Sequence, residues 1–438
     1  MLGAPIDELV SAALSLPDFS DKQVFFLIDE YENFHNYQQQ IFNTIIKQAS
    51  AQYIFKIGVR ELGWRERATL NRNEQLTHPA DYARIDLRDQ LTGDRFQKFA
   101  GRICNSRLTR LRNDYPDVIA SIEEALPDLS EEQEAHLLGV DEVSVKILRE
   151  LPTECHPELV EFAKSLTPLK LFFVKFWAEA TKESVVSLLD KMLHNSNSWE
   201  TRLGNYLYSA LFTIRRGRPG VRKYYAGWNT LVKLADGNIR YLLQLVHESF
   251  RYHFRHDGAV GEPISADNQT RAAQDVGKGN LDELEGLSVE GARLTKLLLG
   301  LGRVFGVLAE RPEGHTPEVN QFHITDSEAE TGRSDDRAAR LLELAVMHQA
   351  LVRFKGTKPI DEADTKEYDY MIHPIYSAFF VFSHRRKRKL RITTEQLLGL
   401  VEHHRHTIRE ILAGQNRSEI GDLPDQLSLF EAYFHGGD

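Results

Sequence analysis

The sequence has few cysteines and no long apolar segment. Only two of its 438 residues are cysteine, Cys104 and Cys155, too few for a disulfide framework or for a structural zinc site of their own. This scarcity fits a reducing compartment, and we expect the cytoplasm. No run of about 18 apolar residues is present, so a transmembrane helix is excluded, and the residues after Met1 lack the basic start of a signal peptide. Hydrophobic residues still make up 42% of the chain, enough for the cores of two or three domains.

An overall surplus of positive charge is also missing. The 54 lysines and arginines are outnumbered by 64 acidic residues, which gives a net charge of −10. A binding site for a polyanion must therefore be a local patch, and two stretches qualify, RRGRPGVRK at 215–223 and HRRKRKLR at 384–391. We expect the second stretch to contact DNA or RNA through Arg385, Arg386, Lys387, Arg388, Lys389 and Arg391. The alternatives are a solvated basic turn and a contact with the acidic stretch at 131–142.

The N-terminal residues contain short β-prone runs. Residues 23–28, QVFFLI, form a nearly continuous apolar run that is typical of a buried parallel strand. Residues 53–59 predict a second strand after an amphipathic helix, and residues 83–87 a short third one. This order predicts a βαβ unit, part of an α/β sheet. From about residue 90 to 250 the pattern predicts helices at 92–112, 116–126, 139–150, 156–165, 168–193, 198–213 and 238–253.

An acidic pair, Asp29-Glu30, ends the first apolar run. Because the carboxyl ends of strands in α/β sheets line the crevice where ligands bind, both carboxylates are expected there. This is a Walker B pattern, in which Asp29 would hold the Mg²⁺ of a nucleotide and Glu30 would polarise the attacking water. The alternative is a buried strand followed by a solvated acidic turn.

Two arginines follow the acidic pair Asp29-Glu30 along the chain at positions that also bear on function. Arg60 lies just beyond the second strand, and Arg240 lies in the first turn of a helix that Asn238 would cap. The phrases FFLIDEYENF, FKIGVREL and GWNTLVKLADGNIRYLLQL, in this order, resemble AAA+ or STAND-type P-loop ATPases, in particular bacterial relatives of the origin-recognition and initiator-loader clade. The resemblance covers most of the chain through about residue 385 and implies a helical lid and a C-terminal winged helix. It also implies that Arg60 acts as sensor 1, that Arg240 acts as sensor 2, and that ATP controls binding to DNA or to a partner.

One motif of such ATPases is missing. The sequence contains no GxxxxGK[ST], the loop that cradles nucleotide phosphates. In this fold the strand of that loop precedes Walker B, and we expect it to pair between the Walker B and sensor strands. We therefore expect an incomplete polypeptide, either a truncated or mis-started reading frame or one half of a split protein. Its exposed strand edges would invite aggregation. ATP and Mg²⁺ are expected as cofactors only if the phosphate loop is supplied from elsewhere.

The C-terminal part predicts a second small domain. Residues 257–280 are rich in Gly, Asp, Asn and Ala and indicate a linker. A helix at 288–309, a strand at 321–325, a helix at 335–348 and strands at 350–355 and 367–373 then predict a winged helix, followed by a helix at 393–413. The domains expected are a partial P-loop ATPase core at 1–90, a helical lid at 91–256, a linker at 257–287, a winged helix at 288–392, and a C-terminal helix and tail at 393–438.

The tail contains a short motif, QLSLF. It matches the peptide by which bacterial proteins dock on the replicative sliding clamp, with Gln426 for hydrogen bonding and Leu427, Leu429 and Phe430 as apolar anchors. The alternative is an amphipathic helix that folds back onto the protein.

These patterns favour an α/β partial P-loop NTPase sheet followed by a mostly α-helical lid and a winged helix. The function expected is that of an AAA+-like ATPase that couples ATP to a DNA-associated assembly and is inactive alone. The expected partners are DNA, the sliding clamp, and further copies of the chain or a missing N-terminal segment. The alternative is a non-enzymatic winged-helix adaptor that binds DNA or a protein through its basic patch and tail.

Overall fold

The computed structural model describes residues 2–152, 155–256, 258–311, 317–325, 333–355 and 368–417. The chain divides into two compact units, which we describe separately. The first comprises Met1–Gln90 with Arg340–Gln349, and the second comprises Leu91–Ala339 with Ala350–Asp438. Within the described ranges, no helix has both the length and the apolarity needed to cross a membrane.

The first unit is built on two parallel strands. Its elements are α1 (Ala4–Leu14), β1 (Val24–Ile28), a 3₁₀ turn (Tyr31–Asn33), α2 (Asn36–Lys47), β2 (Tyr53–Ile57) and α3 (Leu87–Gln90). The βαβ order predicted from the sequence is present. The third strand predicted at 83–87 is wrong, because Asp86 accepts hydrogen bonds from the backbone N–H groups of Arg88 and Asp89 and starts α3 there.

The two strands pair directly with each other, in register from Val24 opposite Tyr53 to Ile28 opposite Ile57. This corrects our expectation of a further strand between them. The expectation of a buried β1 is also wrong, because Phe25 and Leu27 are exposed while their neighbours are half-buried. The sheet therefore has one covered and one uncovered face.

The second unit begins with a helical region. Its helices are α4 (Gly93–Leu111), α5 (Ile122–Ala125), α6 (Glu131–Leu137), α7 (Val140–Arg149), α8 (Pro157–Ser165), α9 (Pro168–Thr181), α10 (Val185–His194), α11 (Ser196–Leu211), α12 (Trp228–Ala235) and α13 (Ile239–Arg255). The apolar α9 lies at the centre of one core, with Phe173 and Phe176 buried. The single helix predicted at 168–193 is two helices, because Lys182 has a left-handed backbone and the Ser184 side chain caps α10.

The linker expected at 257–287 is instead mostly helix. Residues Ala266–Glu285 form α14, which buries Ala272 and Ala273. Gly277 lies so close to the Phe379 side chain that a Cβ there would be 2.9 Å from it. The small residues that indicated a loop therefore permit close helix packing.

The C-terminal module has a four-stranded sheet in the order β4-β5-β3-β6. Its elements are α15 (Ser288–Ala309), β3 (Val319–Thr325), the start of α16 (Arg333–Met347), β4 (Leu351–Lys355), β5 (Tyr368–Ile372), α17 (Ser377–Phe380), β6 (Arg388–Thr393), α18 (Thr394–Glu402) and α19 (His404–Gly414). From Arg340 onward, α16 belongs to the first unit. β5 is antiparallel to β3 and β4, whereas β6 is parallel to β3. β6 is absent from the sequence prediction, and the last helix predicted at 393–413 is interrupted at His403.

Candidate functional site

The strongest candidate site lies at the carboxyl edge of the β1–β2 sheet. Because the strands are parallel, Asp29 and Glu30 follow β1 at the edge where Gly58 follows β2. The Gly58 N–H donates to the Ile28 carbonyl over 2.7 Å, and the Tyr31 N–H donates to the Gly58 carbonyl over 3.1 Å. A Cβ on Gly58 would lie 2.8 Å from Asp29 Oδ1, so glycine is what lets the two strand ends approach.

The two carboxylates at this edge are exposed and only partly used. Asp29 Oδ1 accepts the Glu30 N–H over 2.9 Å, and Glu30 Oε2 accepts from the Asn33 side-chain amide over 3.0 Å. Glu30 has a positive φ of 53°, a conformation that costs energy for a residue with a side chain. Within the described residues neither carboxylate forms an ion pair, so both can accept a cation.

Arg60 lies at the same edge but has an internal partner. Its Nε pairs with Glu32 Oε1 over 3.0 Å, and its backbone N–H donates to Glu32 Oε2 over 3.2 Å. The Glu32 side chain is 5% exposed, whereas the Arg60 side chain is 42% exposed. A buried carboxylate thus orients the arginine while part of its guanidinium still faces solvent.

Glu32 is a residue that the sequence analysis missed. Its backbone carbonyl also accepts from Arg65 Nη1 over 2.7 Å, and Arg65 donates to the Phe34 carbonyl as well. Burial lowers the pKa of Arg65. The only sequence signal was a third acidic residue, two positions after Glu30.

Arg240 belongs to the second unit and stands where the sequence predicted it. Asn238 Oδ1 accepts from the N–H groups of Arg240 and Tyr241 over 2.9 and 3.2 Å, so the predicted N-cap of α13 is confirmed. The Arg240 guanidinium pairs with Glu283 on α14 over 3.0 Å. The structure therefore brings Asp29, Glu30 and Arg60 to one sheet edge and holds Arg240 in a separate unit.

The basic segment 385–391 is largely occupied by contacts within the protein. Four of its six cations have partners, Arg385 with Glu318 and Glu131, Arg386 with Gln321 and the Phe354 ring, Arg388 with the Tyr206 hydroxyl, and Lys389 with Asp369. Among the described residues, Lys387 and Arg391 form no ion pair and are exposed. Nucleic-acid binding through this segment stays a prediction, with fewer cations available than the sequence suggested.

The other basic segment, 215–223, is occupied as well. Arg216 pairs with Glu179, Arg218 with Glu142 and Arg222 with Glu310. Lys223, only 1% exposed, pairs with Glu134 over 2.7 Å and lies 4.5 Å from the centre of the Tyr208 ring. Burial alone would lower the pKa of Lys223, but the adjacent Glu134 carboxylate and Tyr208 raise it, so the ammonium stays charged.

One predicted feature lies outside the described residues, the clamp-like motif with Gln426, Leu427, Leu429 and Phe430. It stays a prediction.

A family model gives the relationship of the whole chain. The model named ORC-CDC6-like matches residues 1–392. The chain belongs to the ORC-CDC6-like family. This confirms the resemblance to origin-recognition AAA+ relatives, and a mostly helical structure with small mixed sheets is compatible with the fold of that family. No curated protein and no solved structure matches the chain.

Proposed function

We propose that this chain is part of an ORC-CDC6-like ATPase in which ATP controls a DNA-associated assembly. The observation that carries the proposal is the sheet edge where Asp29 and Glu30 lie beside the end of β2. In this proposal Asp29 binds the Mg²⁺ of ATP, and Glu30 orients the water that attacks the γ-phosphate. The ORC-CDC6-like membership supports it, since AAA+ proteins of this kind generally bind ATP with Mg²⁺.

The residues at this edge fit a magnesium ion that is bound together with a nucleotide. Mg²⁺ prefers carboxylate oxygens and keeps several water ligands, so one or two protein carboxylates suffice when phosphates supply the rest. The described residues contain no group of three acidic, histidine or cysteine side chains that could hold a metal alone. In this proposal Asp29 binds Mg²⁺ together with ATP rather than the bare ion.

The remaining proposed roles are those of the phosphate loop, of Arg60 and Arg240, and of the winged helix. Since the sequence has no GxxxxGK[ST], another segment or chain would supply the phosphate loop. Arg60 would act as sensor 1 by exchanging part of its contact with Glu32 for the γ-phosphate, and Arg240 would act as sensor 2 from the lid helix α13. The module from α15 to β6 would serve as the winged helix, with β4 and β5 as its wing.

The pairing of Arg60 with a buried carboxylate favours a second candidate function. If that pair is permanent, the first unit is a degenerate ATPase core, and the chain is an adaptor that binds DNA or protein through its C-terminal module. The two functions differ in whether nucleotide affects the protein at all.

The test uses protein isolated under native conditions, so that any segment supplying the phosphate loop stays with it. Binding of a fluorescent ATP analogue is titrated with and without Mg²⁺, and ATP turnover is measured, for wild type, Asp29→Asn and Glu30→Gln. We expect Asp29→Asn to lose Mg²⁺-dependent binding about tenfold or more, and Glu30→Gln to bind but not turn over. The matched control is Asp21→Asn, an exposed carboxylate just before β1, which should behave as wild type. Absence of nucleotide binding in the wild type would favour the adaptor.

A further inference from the structure

Helix α4 has a charge opposite to that of the chain as a whole. Between Arg95 and Arg112 the sequence contains six basic residues and no acidic residue, in a protein with a net charge of −10. These cations are spaced along the helix rather than consecutive, so they do not form an obvious run. They are Arg95, Lys98, Arg102, Arg107, Arg110 and Arg112.

Most of these cations lie on one exposed face. Phe96, Ala100, Cys104 and Leu108 are buried on the inner face of α4. Arg95, Lys98, Arg102 and Arg110 lie on the opposite side, where helical periodicity places them in one stripe. At a rise of 1.5 Å per residue, this stripe is roughly 22 Å long.

The stripe has no acidic partner in the described part of the chain. Arg95, Lys98, Arg102, Arg107 and Arg110 form no ion pair there. By contrast, four of the five cations of 215–223 form ion pairs, as do Arg385 and Lys389 of 385–391. Only Arg112, at the end of the helix, is tied to backbone carbonyls. These five side chains are therefore available to an external anion.

Helix stability does not explain the arrangement. Arg110 lies in the last turn, where the helix dipole favours positive charge, but Arg95 lies in the first turn, next to Asp94, where the dipole disfavours it. Lys98 follows three residues after Arg95 and precedes Arg102 by four, and like charges at these spacings repel each other. The stripe weakens α4, and an anion bound along it would remove that repulsion.

We infer that this face of α4 binds the phosphate backbone of a nucleic-acid duplex. The inference deepens the proposed function and rests on its DNA-associated part, not on ATP hydrolysis. From Arg95 to Arg110 every exposed side chain is polar, so the face lacks the apolar centre of a typical protein interface. Its arginines can contact phosphate oxygens in a bidentate manner, and its length spans several successive phosphates. Such contacts position a protein on a duplex without reading its sequence.

The experiment measures binding of the full chain to a fluorescein-labelled 30-base-pair duplex of arbitrary sequence, by anisotropy, at several NaCl concentrations. The test variant is Arg95→Gln/Lys98→Gln/Arg102→Gln. The control variant, Lys146→Gln/Lys164→Gln/Lys191→Gln, removes the same charge from exposed lysines that pair with carboxylates. Circular dichroism checks that both variants are folded, and the single substitutions Arg95→Gln and Arg102→Gln serve if the test variant is not.

We expect the test variant to bind about tenfold or more weakly at 0.1 M NaCl, and the control to bind as wild type. The salt slope of the test variant should fall by about 0.9 for each phosphate that it no longer neutralises. If the single variants are used, weaker duplex binding by either one supports the inference, and binding equal to wild type by both contradicts it. Equal binding by wild type and test variant overturns the α4 inference and leaves the proposed function standing. Absence of duplex binding by the wild type overturns both the α4 inference and the DNA-associated part of the proposed function. If polyglutamate, a polyanion without phosphates, binds α4 as tightly as the duplex does, the assignment to nucleic acid is wrong.

Discussion

His384 lies in a buried environment with few polar partners. The centre of its ring lies 6.2 Å from that of Tyr208 and 6.3 Å from that of Tyr225, and its Nδ1 has no hydrogen-bond partner among the described residues. Burial lowers the pKa of His384 from 6.5 to about 3, and the positive charges of Lys223, Lys233 and Arg385 act in the same direction. The folded protein therefore keeps this imidazole neutral at pH values where the unfolded chain would protonate it.

This difference predicts a pH dependence of stability. Since only the unfolded state takes up the proton below pH 6.5, the free energy of unfolding falls as the pH is lowered through that value. Between pH 7.5 and 5.5 the protonation of His384 in the unfolded chain should lower the free energy of unfolding by about 1.4 kcal/mol. We expect His384→Leu to lose this part of the pH dependence, as measured by urea unfolding at both pH values. The control variant His247→Leu replaces an exposed histidine and should retain the pH dependence of the wild type. An unchanged pH dependence in His384→Leu would contradict the prediction.

At the scale of single elements, glycines in helices mark close packing. Gly302 in α15 lies against Phe380, and a Cβ there would be 2.4 Å from the Phe380 ring. Gly279 in α14 has no atom within 4 Å of the position its Cβ would take. The same substitution at these two sites should therefore have opposite effects.

We expect Gly302→Ala to lower the free energy of unfolding by about 1–3 kcal/mol, because the clash outweighs the better helix propensity of alanine. Gly279→Ala should raise it by about 0.5–1 kcal/mol, because alanine loses less backbone entropy on folding. Urea unfolding of both variants measures the two effects. Stabilisation by Gly302→Ala would show that α15 and Phe380 are not in close contact.

The same close packing helps to explain which helices and site residues can be predicted from the sequence and which cannot. Helices with a clear apolar period, such as α4, α7 and α13, are predicted within a few residues of their bounds, and for α13 the capping residue Asn238 is predicted as well. α14 is missed because its glycines and small residues indicated a loop, whereas in the structure they lie in a helix and Gly277 lets that helix pack against Phe379. Asp29, Glu30 and Arg60 are predicted at one strand edge because parallel strands bring their ends together, but the pairing of Arg60 with Glu32 depends on contacts that the sequence does not display.

At the scale of the whole molecule, the uncovered face of the first unit's sheet leaves large apolar side chains exposed to water. Phe25 and Leu27 of β1 and Ile54 of β2 share one side and are 46%, 76% and 45% exposed. Lys56, opposite Leu27, lies on the same side, with its ammonium 4.2 Å from the centre of the Phe25 ring. On the other side the rings of Phe26, Tyr53 and Phe55 pack together. An apolar face of this kind favours association, because burying it removes apolar surface from water.

We expect the isolated chain to self-associate as its concentration rises, and Leu27→Lys to reduce this association. Because Leu27 makes few contacts within the unit, its replacement should change the free energy of unfolding by no more than about 0.5 kcal/mol. Light scattering coupled to size-exclusion chromatography, over a range of concentrations, measures the association. The control Leu9→Lys changes an equally apolar, exposed residue on α1 and should associate as wild type.

The outcome also bears on the proposed function. If a segment carrying the phosphate loop covers this face, protein isolated under native conditions should not self-associate through it, and Leu27→Lys should then weaken the retention of that segment. Two results together would show that this face is stable in water and needs no covering segment. They are a wild type that is monomeric at all concentrations and a free energy of unfolding that Leu27→Lys does not change.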